Sequence, residues 1–182
     1  MKKVLVPLAP GFEEIEALTV VDILRRAGAE VTVAGTIEGP IEGRSRVKVL
    51  TDKLMEEVEG TDFDMIVLPG GAVGAQNLKK DMRVKKAVEG LIKKKGLITA
   101  ICAAPIVLSA IGAIEGRKIT SHPAVRDELK NERVSEDRVV ADGNLITSQG
   151  PGTAMEFAFK LVEALFGKEK VREVNKGVLA RI

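Results

Sequence analysis

Cys102 is the only cysteine in this chain of 182 residues, and its neighbours indicate a reactive thiol. It follows the apolar run 97–101 and precedes Ala103-Ala104-Pro105, where a helical pattern begins. A thiol between a strand and a helix, flanked by small residues, has the layout of a nucleophile elbow with cysteine in place of serine. A helix N-terminus behind the thiol favours the thiolate, so we expect a lowered pKa. A small, inert core cysteine is the alternative interpretation.

A glycine-rich turn after another apolar strand offers backbone amides. Gly70 and Gly71 follow the strand pattern of residues 62–68, and glycine allows a tight turn with exposed N–H groups. The turn lacks the Gly-Lys-Ser/Thr of a Walker loop and the Gly-x-Gly-x-x-Gly of a dinucleotide site. We therefore expect an oxyanion hole formed by the amides of Gly71 and Ala103. A tight turn without a ligand is the alternative.

Two further side chains could move protons. Glu13, Glu14 and Glu16 open the first helical pattern, where acidic residues complement the helix dipole, and this explanation suffices for Glu13 and Glu14. Glu16 could instead face the end of the sheet, where a carboxyl beside a thiol would stay protonated and donate a hydrogen bond. His122 is the only histidine, so it is the only side chain whose ordinary pKa lies near neutrality. A structural histidine is the alternative.

Strand and helix patterns alternate along the chain and would position these groups. Strand patterns lie at residues 4–8, 31–34, 47–50, 62–68, 97–101 and 118–121, followed by a hairpin at 139–147 with Asp142-Gly143 at its turn. Helical patterns lie at residues 15–24, 84–92, 153–167 and 168–174. Such alternation predicts an open, mostly parallel sheet with helices on both faces. Ligands bind such sheets at the carboxyl ends of the strands, where Cys102 is expected.

The composition limits the classes of function. With 45% hydrophobic and 30% charged residues, the chain reads as one globular domain over residues 1–182. The net charge of +2 gives no strong attraction to nucleic acid or anionic membrane, and the lack of Trp and Tyr argues against stacking of bases or flavins. No apolar run approaches the ~20 residues of a membrane span. One histidine cannot form a multi-histidine metal site, and a single cysteine suits a reducing cytoplasm.

Five segments, in this order and spacing, resemble the ThiJ/PfpI superfamily, and most closely its Parkinson-disease-associated protein deglycase and YajL branch. The segments are Glu13-Glu14-Ile15-Glu16-Ala17, Leu68-Pro69-Gly70-Gly71, Ala100-Ile101-Cys102-Ala103-Ala104-Pro105, Thr120-Ser121-His122-Pro123 and Ser148-Gln149-Gly150-Pro151-Gly152-Thr153. The resemblance covers essentially the whole chain. It implies a flavodoxin-like α/β fold, a three-layer sandwich with a mostly parallel sheet, that forms a homodimer and uses no cofactor and no metal.

The resemblance also implies roles for the residues identified above. Cys102 is expected to be the reactive cysteine, hydrogen-bonded by a protonated Glu16. His122 matches the histidine near that cysteine. The amides of Gly71 and Ala103 match the family's oxyanion-stabilising groups.

Substrate contacts follow from the same resemblance. The family has an arginine that holds small anions near the cysteine across the dimer. Arg46 is its match in this chain, and Arg44 is the match in the alternative alignment register. Gly70 belongs to the matching glycine motif and is expected to contribute to the oxyanion and substrate-binding set.

The activity implied is that of a glyoxalase III or protein deglycase acting in the cytoplasm on methylglyoxal, glyoxal or their early adducts. An alternative from another class is an oxidative-stress sensor or redox-regulated chaperone that uses Cys102. A PfpI-type cysteine peptidase is disfavoured, because that branch has a histidine directly after the cysteine, where this chain has Ala103.

Overall fold

The computed structural model describes residues 1–129 and 132–182 as a central sheet between two layers of helices. The strands are β1 (Lys3–Leu8), β2 (Glu30–Gly35), β3 (Ile41–Glu42), β4 (Lys48–Val49), β5 (Lys53–Leu54), β6 (Met65–Leu68), β7 (Leu97–Ile101), β8 (Lys118–Ile119), β9 (Arg133–Val134), β10 (Val139–Asp142) and β11 (Leu145–Ser148). The α-helices are α1 (Glu14–Arg26), α2 (Ala72–Lys80), α3 (Met82–Lys93), α4 (Pro105–Ser109), α5 (Ala154–Phe166) and α6 (Lys168–Val178). Short 3₁₀ helices lie at Met55–Glu57, Gly60–Asp62, Pro123–Leu129 and Pro151–Thr153.

Seven strands form the central sheet in the order β10-β11-β7-β6-β1-β2-β5. Neighbouring strands are parallel except for the β10–β11 pair. The near-continuous burial of β1, β6 and β7 fits a sheet that is covered on both faces. Because β2 lies on one side of β1 and β6 on the other, the strand order reverses there. The crevice at the carboxyl ends of β1 and β6 is therefore the expected ligand position.

The helices divide into two layers by their contacts. Helix α5 packs against α1 and α6, while α2 packs against α3 and α4. This arrangement confirms the expected flavodoxin-like α/β fold with a mostly parallel sheet. Within residues 1–129 and 132–182, no helix is both long enough and apolar enough to cross a bilayer.

Several predicted elements differ in extent from the observed ones. The strand predicted at 47–50 is only β4, which pairs with β3 outside the central sheet. The strand predicted at 118–121 is only β8, which pairs with β9. Helix α2 was not predicted, because only Gly74, Ala75 and Leu78 of its nine residues are buried and its apolar pattern is weak. The predicted hairpin is confirmed by the antiparallel β10–β11 pair, with Gly143 at a φ of +60° in the turn.

Helix α1 turns a different face to the core than its apolar residues suggest. Ile15 and Leu18, which fitted the predicted inner face, are exposed by 54% and 38%. Glu13, Glu14 and Glu16 are buried instead. The start of this helix therefore brings carboxyl groups, rather than aliphatic side chains, against the end of the sheet.

Candidate functional site

Cys102 lies at a strained turn between β7 and α4. Its φ of +64° is in the left-handed region, which non-glycine residues rarely adopt. The turn is held because the Cys102 N–H donates to the Ser148 carbonyl at 2.9 Å and the Cys102 carbonyl accepts from the His122 N–H at 2.9 Å. Strain of this kind costs on the order of 1–3 kcal/mol and clusters at functional sites. The predicted strand–turn–helix geometry is thus present, with a side chain that is almost buried.

Two backbone amides surround the Cys102 sulfur. The N–H groups of Gly71 and Ala103 donate hydrogen bonds to it and lower its pKa. Gly71 has a φ of +88°, and a Cβ there would lie 2.3 Å from the Gly11 carbonyl oxygen, so only glycine fits. The structure therefore brings together the pair of amides that the sequence suggested for an oxyanion hole.

Glu16 is fully buried beside the cysteine. The Gly70 N–H donates to its Oε2 at 2.8 Å, while Oε1 is buried without a partner in hydrogen-bond geometry. A Cβ on Gly70 would lie 2.4 Å from Glu16 Oε2 and 2.7 Å from Cys102 Cβ, so both side chains flank this glycine. The expectation that Gly70 belongs to the oxyanion set needs correction, because its N–H is already used to hold Glu16.

The thiol and the carboxyl perturb each other's ionisation. Burial raises the pKa of Glu16 to about 7, opposed by hydrogen bonding with Cys102 and with the Gly70 amide. Burial, together with the charge of Glu16 and its hydrogen bond, raises the pKa of Cys102 to about 12. The expectation of a lowered cysteine pKa is wrong in this structure, because α4 has only five residues and its small dipole is outweighed. The pair therefore loses one proton near pH 7 and keeps the other far above it.

His122 follows β8 and is exposed. Its Nδ1 accepts a hydrogen bond from the Ala124 N–H at 3.2 Å, which assigns the proton of the neutral ring to Nε2. A Cβ on Gly150 would lie 3.5 Å from His122 Cδ2 and 4.0 Å from Cys102 Sγ, so the ring and the sulfur both lie close to this glycine. The structure thus brings His122 to the site from a different segment.

Arg44, unlike Arg46, forms an ion pair with a buried carboxylate near the start of α1. Arg44 Nη1 lies 3.0 Å from Glu13 Oε2, and its charge lowers the pKa of Glu16. The Arg46 side chain is exposed and has no ion pair within the described part of the chain. Arg46 was expected to act across a dimer, so its contribution to the site stays a prediction.

Glu13 and Glu14 are the site residues that sequence reasoning underrated. Both are buried, and Glu14 Oε1 accepts from the N–H groups of Ser45 at 2.8 Å and Val47 at 3.4 Å. A solvent-facing role in the helix dipole does not explain such burial. For Glu16 a signal was present, because it shares a helical face with the core residues Val20 and Ile23.

Two cavities differ in their distance from the predicted site residues along the fold. A cavity of about 520 Å³ opens at the carboxyl end of β1, and it is lined by Pro10, Gly11, Glu42, Gly43, Arg44, Ala72 and Val73. A larger one of about 880 Å³ lies among β10, α5 and α6, and its lining includes none of the predicted site residues. The 520 Å³ cavity includes Arg44 and Ala72, the residue after Gly71, but its lining does not include Cys102, Glu16 or His122.

Comparisons with known proteins agree with this fold. The model of the DJ-1/PfpI family matches residues 2–164. Protein dj-1beta of Drosophila melanogaster is 48% identical over 98% of this chain and 97% of its own length, and its crystal structure has a TM-score of 0.95 over 100% of this chain and 99% of that chain. Glutathione-independent glyoxalase DJR-1.2 of Caenorhabditis elegans is 37% identical over 96% of this chain and 95% of its own length. The structure of oxidized Toxoplasma gondii DJ-1 is 36% identical, with a TM-score of 0.94 over 100% of both chains.

Proposed function

The chain belongs to the DJ-1/PfpI family, and from that premise we propose that it is a cofactor-independent cysteine enzyme of glyoxalase III type. Its substrates are methylglyoxal and glyoxal, with protein deglycase action on their early adducts as the related reaction. The observation that carries the proposal is the Cys102 sulfur, held between the amides of Gly71 and Ala103 beside a proton-holding Glu16. The glyoxalase name of the Caenorhabditis elegans relative supports the same reaction class.

The proton shared by Glu16 and Cys102 supplies the nucleophile. Above pH 7 the pair carries one proton and one negative charge. When Glu16 holds the proton, the charge lies on the sulfur, where the two amides stabilise it. Glu16 Oε1 has no other partner, so a carboxyl proton there is free to be donated to the thiolate or to a substrate oxygen.

The proposed reaction needs no oxidant. The thiolate adds to the aldehyde carbon of methylglyoxal and the aldehyde oxygen takes a proton, which gives a hemithioacetal. A base removes the hydrogen on that carbon, and a proton returns to the neighbouring carbonyl carbon through an enediol, which leaves a thioester. Water then hydrolyses the thioester to lactate and frees the thiol. Glu16 and His122 are the groups placed to move these protons, and the two amides stabilise the oxyanions.

Turnover by the purified protein tests this proposal. We expect methylglyoxal to disappear with equal formation of lactate, followed by NMR, and expect Cys102→Ser to abolish the reaction while the circular dichroism spectrum is unchanged. Ser109→Ala, a small change away from Cys102, is the matched control and should keep wild-type turnover. Wild-type protein without lactate formation, or a Cys102→Ser variant with most of the activity, would contradict the proposal.

A second candidate is a redox sensor, favoured by Glu16, whose side chain interacts with the thiol and whose Oε1 has no hydrogen-bond partner. Peroxide would oxidise the Cys102 thiolate stepwise to a sulfinate, with each oxygen coming from one peroxide molecule that is reduced to water. A protonated Glu16 could donate to a sulfinate oxygen. We expect mild peroxide to add two oxygen atoms to wild-type protein, whereas Glu16→Asp, with a donor one methylene shorter, should proceed further to the sulfonate. Identical oxidation products by mass spectrometry would remove this candidate.

A homodimer is part of the proposal. Ile15 and Leu18 are exposed three positions apart on α1, and the loop that bonds to the neighbouring Glu14 carries a further exposed aliphatic residue, Val47. Such a patch is the expected composition of an interface between two copies. We expect sedimentation to report a dimer for wild-type protein and a monomer for Leu18→Lys. A wild-type monomer would contradict this part of the proposal.

A further inference from the structure

The turn before α5 lies against the cysteine, although the proposed reaction gives it no role. The turn spans residues 148–153, and Ser148 joins it to the elbow, because the Ser148 carbonyl accepts from the Cys102 N–H at 2.9 Å. Ser148 Oγ lies 2.6 Å from Thr153 Oγ1, and both side chains are buried. The turn is therefore attached to the same strand end that holds the thiol.

Gly150 lies within this turn, and Thr153 fixes its backbone. The Gly150 N–H donates to Thr153 Oγ1 at 3.1 Å, and the Gly150 carbonyl accepts from the Thr153 N–H at 2.9 Å. Pro151, whose ring restricts φ, follows directly. Both polar backbone groups of Gly150 are thus in use, so this residue has a fixed position near Cys102.

A side chain at position 150 would contact the sulfur. Its Cβ would lie 4.0 Å from Cys102 Sγ and 3.5 Å from His122 Cδ2, and apart from the chain neighbours no other atom of residues 1–129 and 132–182 lies within 4 Å. Both distances are ordinary van der Waals contacts rather than clashes. The space beside Gly150, the sulfur and the histidine ring is therefore large enough for a methyl group and is left open.

This free space distinguishes Gly150 from the glycines of the β6–α2 turn. A Cβ on Gly70 would lie 2.4 Å from its nearest atom and one on Gly71 would lie 2.3 Å away, so packing requires glycine at both positions. Gly150 has a φ of 167°, which is extended backbone that other residues also adopt. Alanine at such a position stabilises a protein, because it reduces the conformational freedom of the unfolded chain. Neither backbone nor packing therefore excludes alanine, and the open space itself remains as the reason for glycine.

We propose that Gly150 is a specificity-determining residue, which leaves room for the group attached to the carbon that Cys102 attacks. The proposal rests on the proposed function and deepens it, because in methylglyoxal that group is an acetyl and in glyoxal it is the smaller formyl. The free space has the size of a methyl group. The substrate class that it fits is therefore the 2-oxoaldehydes with a short alkyl substituent.

The selectivity between two dicarbonyls tests this inference. We expect Gly150→Ala to lower kcat/KM for methylglyoxal relative to that for glyoxal by roughly tenfold, the lower end of what one methylene does in a pocket. Gly152→Ala is the matched control from the same turn, because a Cβ there has no described atom within 4 Å. The control should keep the wild-type ratio. Urea unfolding should show that Gly150→Ala is at least as stable as wild type.

Alkylation of Cys102 measures the same space without turnover. Methyl iodide has only hydrogen atoms on the attacked carbon, whereas iodoacetamide carries an amide group there. We expect Gly150→Ala to slow alkylation by iodoacetamide relative to methyl iodide, and expect Gly152→Ala to leave the ratio of the two rates unchanged. If wild-type protein consumes neither dicarbonyl, the proposed function fails, while this ratio still decides whether Gly150 sets the size of the electrophile.

Three outcomes would overturn the inference. The first is an equal ratio of alkylation rates in Gly150→Ala and Gly152→Ala. The second is an equal loss of activity toward both dicarbonyls in Gly150→Ala, which would indicate a disturbed elbow rather than a filled space. The third is a Gly150→Ala protein that does not fold, because it would show that no room for a methyl group exists beside the sulfur.

Discussion

Glu16 and Gly70 are 54 residues apart in the chain, yet the Gly70 N–H donates to Glu16 Oε2 at 2.8 Å. This bond joins the helix that follows β1 to the turn that follows β6, across the point where the strand order reverses. It fixes one oxygen of the carboxyl group that shares a hydrogen bond with the thiol. The acid–base behaviour of Cys102 therefore depends on a glycine with no reactive group.

The first prediction concerns Gly70→Ala. The new Cβ would lie 2.4 Å from Glu16 Oε2 and 2.7 Å from Cys102 Cβ, and neither can retreat within a buried site. We expect a loss of about 1–3 kcal/mol in the free energy of unfolding, measured in urea, and loss of dicarbonyl turnover. Gly177→Ala, where nothing lies within 4 Å, is the control. Equal stability and turnover in the two variants would contradict the close packing described.

The second prediction is the pH dependence of Cys102 alkylation. Because the pair loses its first proton with the pKa of about 7 found for Glu16, we expect the rate to rise through pH 7. Glu16→Gln cannot share a proton, so its midpoint should move to that of the thiol alone. A wild-type midpoint at the ordinary cysteine value of about 8.5, unaffected by Glu16→Gln, would show that the two groups do not act as a pair.

The third prediction is a pH-dependent stability that belongs to Glu16. Its pKa is raised from 4.5 to about 7 by folding, so between these values the folded chain keeps a proton that the unfolded chain has lost. The contribution is fully present below pH 4.5 and is lost as the pH rises through 7, by about 3 kcal/mol in total. Glu16→Gln should lack this loss and gain stability relative to wild type over that range. Urea unfolding at several pH values measures the free energy of unfolding of both proteins. If this free energy depended on pH in the same way in wild type and in Glu16→Gln, the prediction would be refuted.

The fourth prediction concerns His122→Ala. We expect dicarbonyl turnover to fall by roughly 10²-fold or less, because Glu16 can still move the proton. The backbone N–H that holds the Cys102 carbonyl remains, so the thermal melting temperature should not change. A loss as complete as that of Cys102→Ser would instead make His122 the essential base.

The fifth prediction is the lack of peptidase activity. Cleavage of a peptide needs an acid that protonates the amine leaving group, and the position after Cys102 is Ala103 rather than histidine. Addition of a thiolate to an aldehyde has no such requirement. We expect negligible hydrolysis of casein under conditions in which methylglyoxal is consumed. Peptide cleavage that disappears in Cys102→Ser would move the chain to the peptidase branch.

The local pattern of the sequence determined the fold and the position of the thiol. The near-continuous apolar runs of β1, β6 and β7 and the helical spacing of α1, α3 and α5 are set by neighbours in sequence, so they predicted a covered parallel sheet. The hairpin at Gly143 was predictable because type I′ turns need a positive φ. Cys102 was placed after a strand and before a helix by the same local reasoning.

Tertiary structure alone decided which of the expected site residues lie together. Whether Glu16 lies beside Cys102, and whether Glu13 and Glu14 are buried, depend on contacts between distant segments, which no local pattern encodes. The pKa of Cys102 is raised rather than lowered as predicted, for the same reason. The sequence showed a helix start, which favours the thiolate, but burial and the adjacent carboxyl outweigh a five-residue helix, and both arise only when the chain is folded.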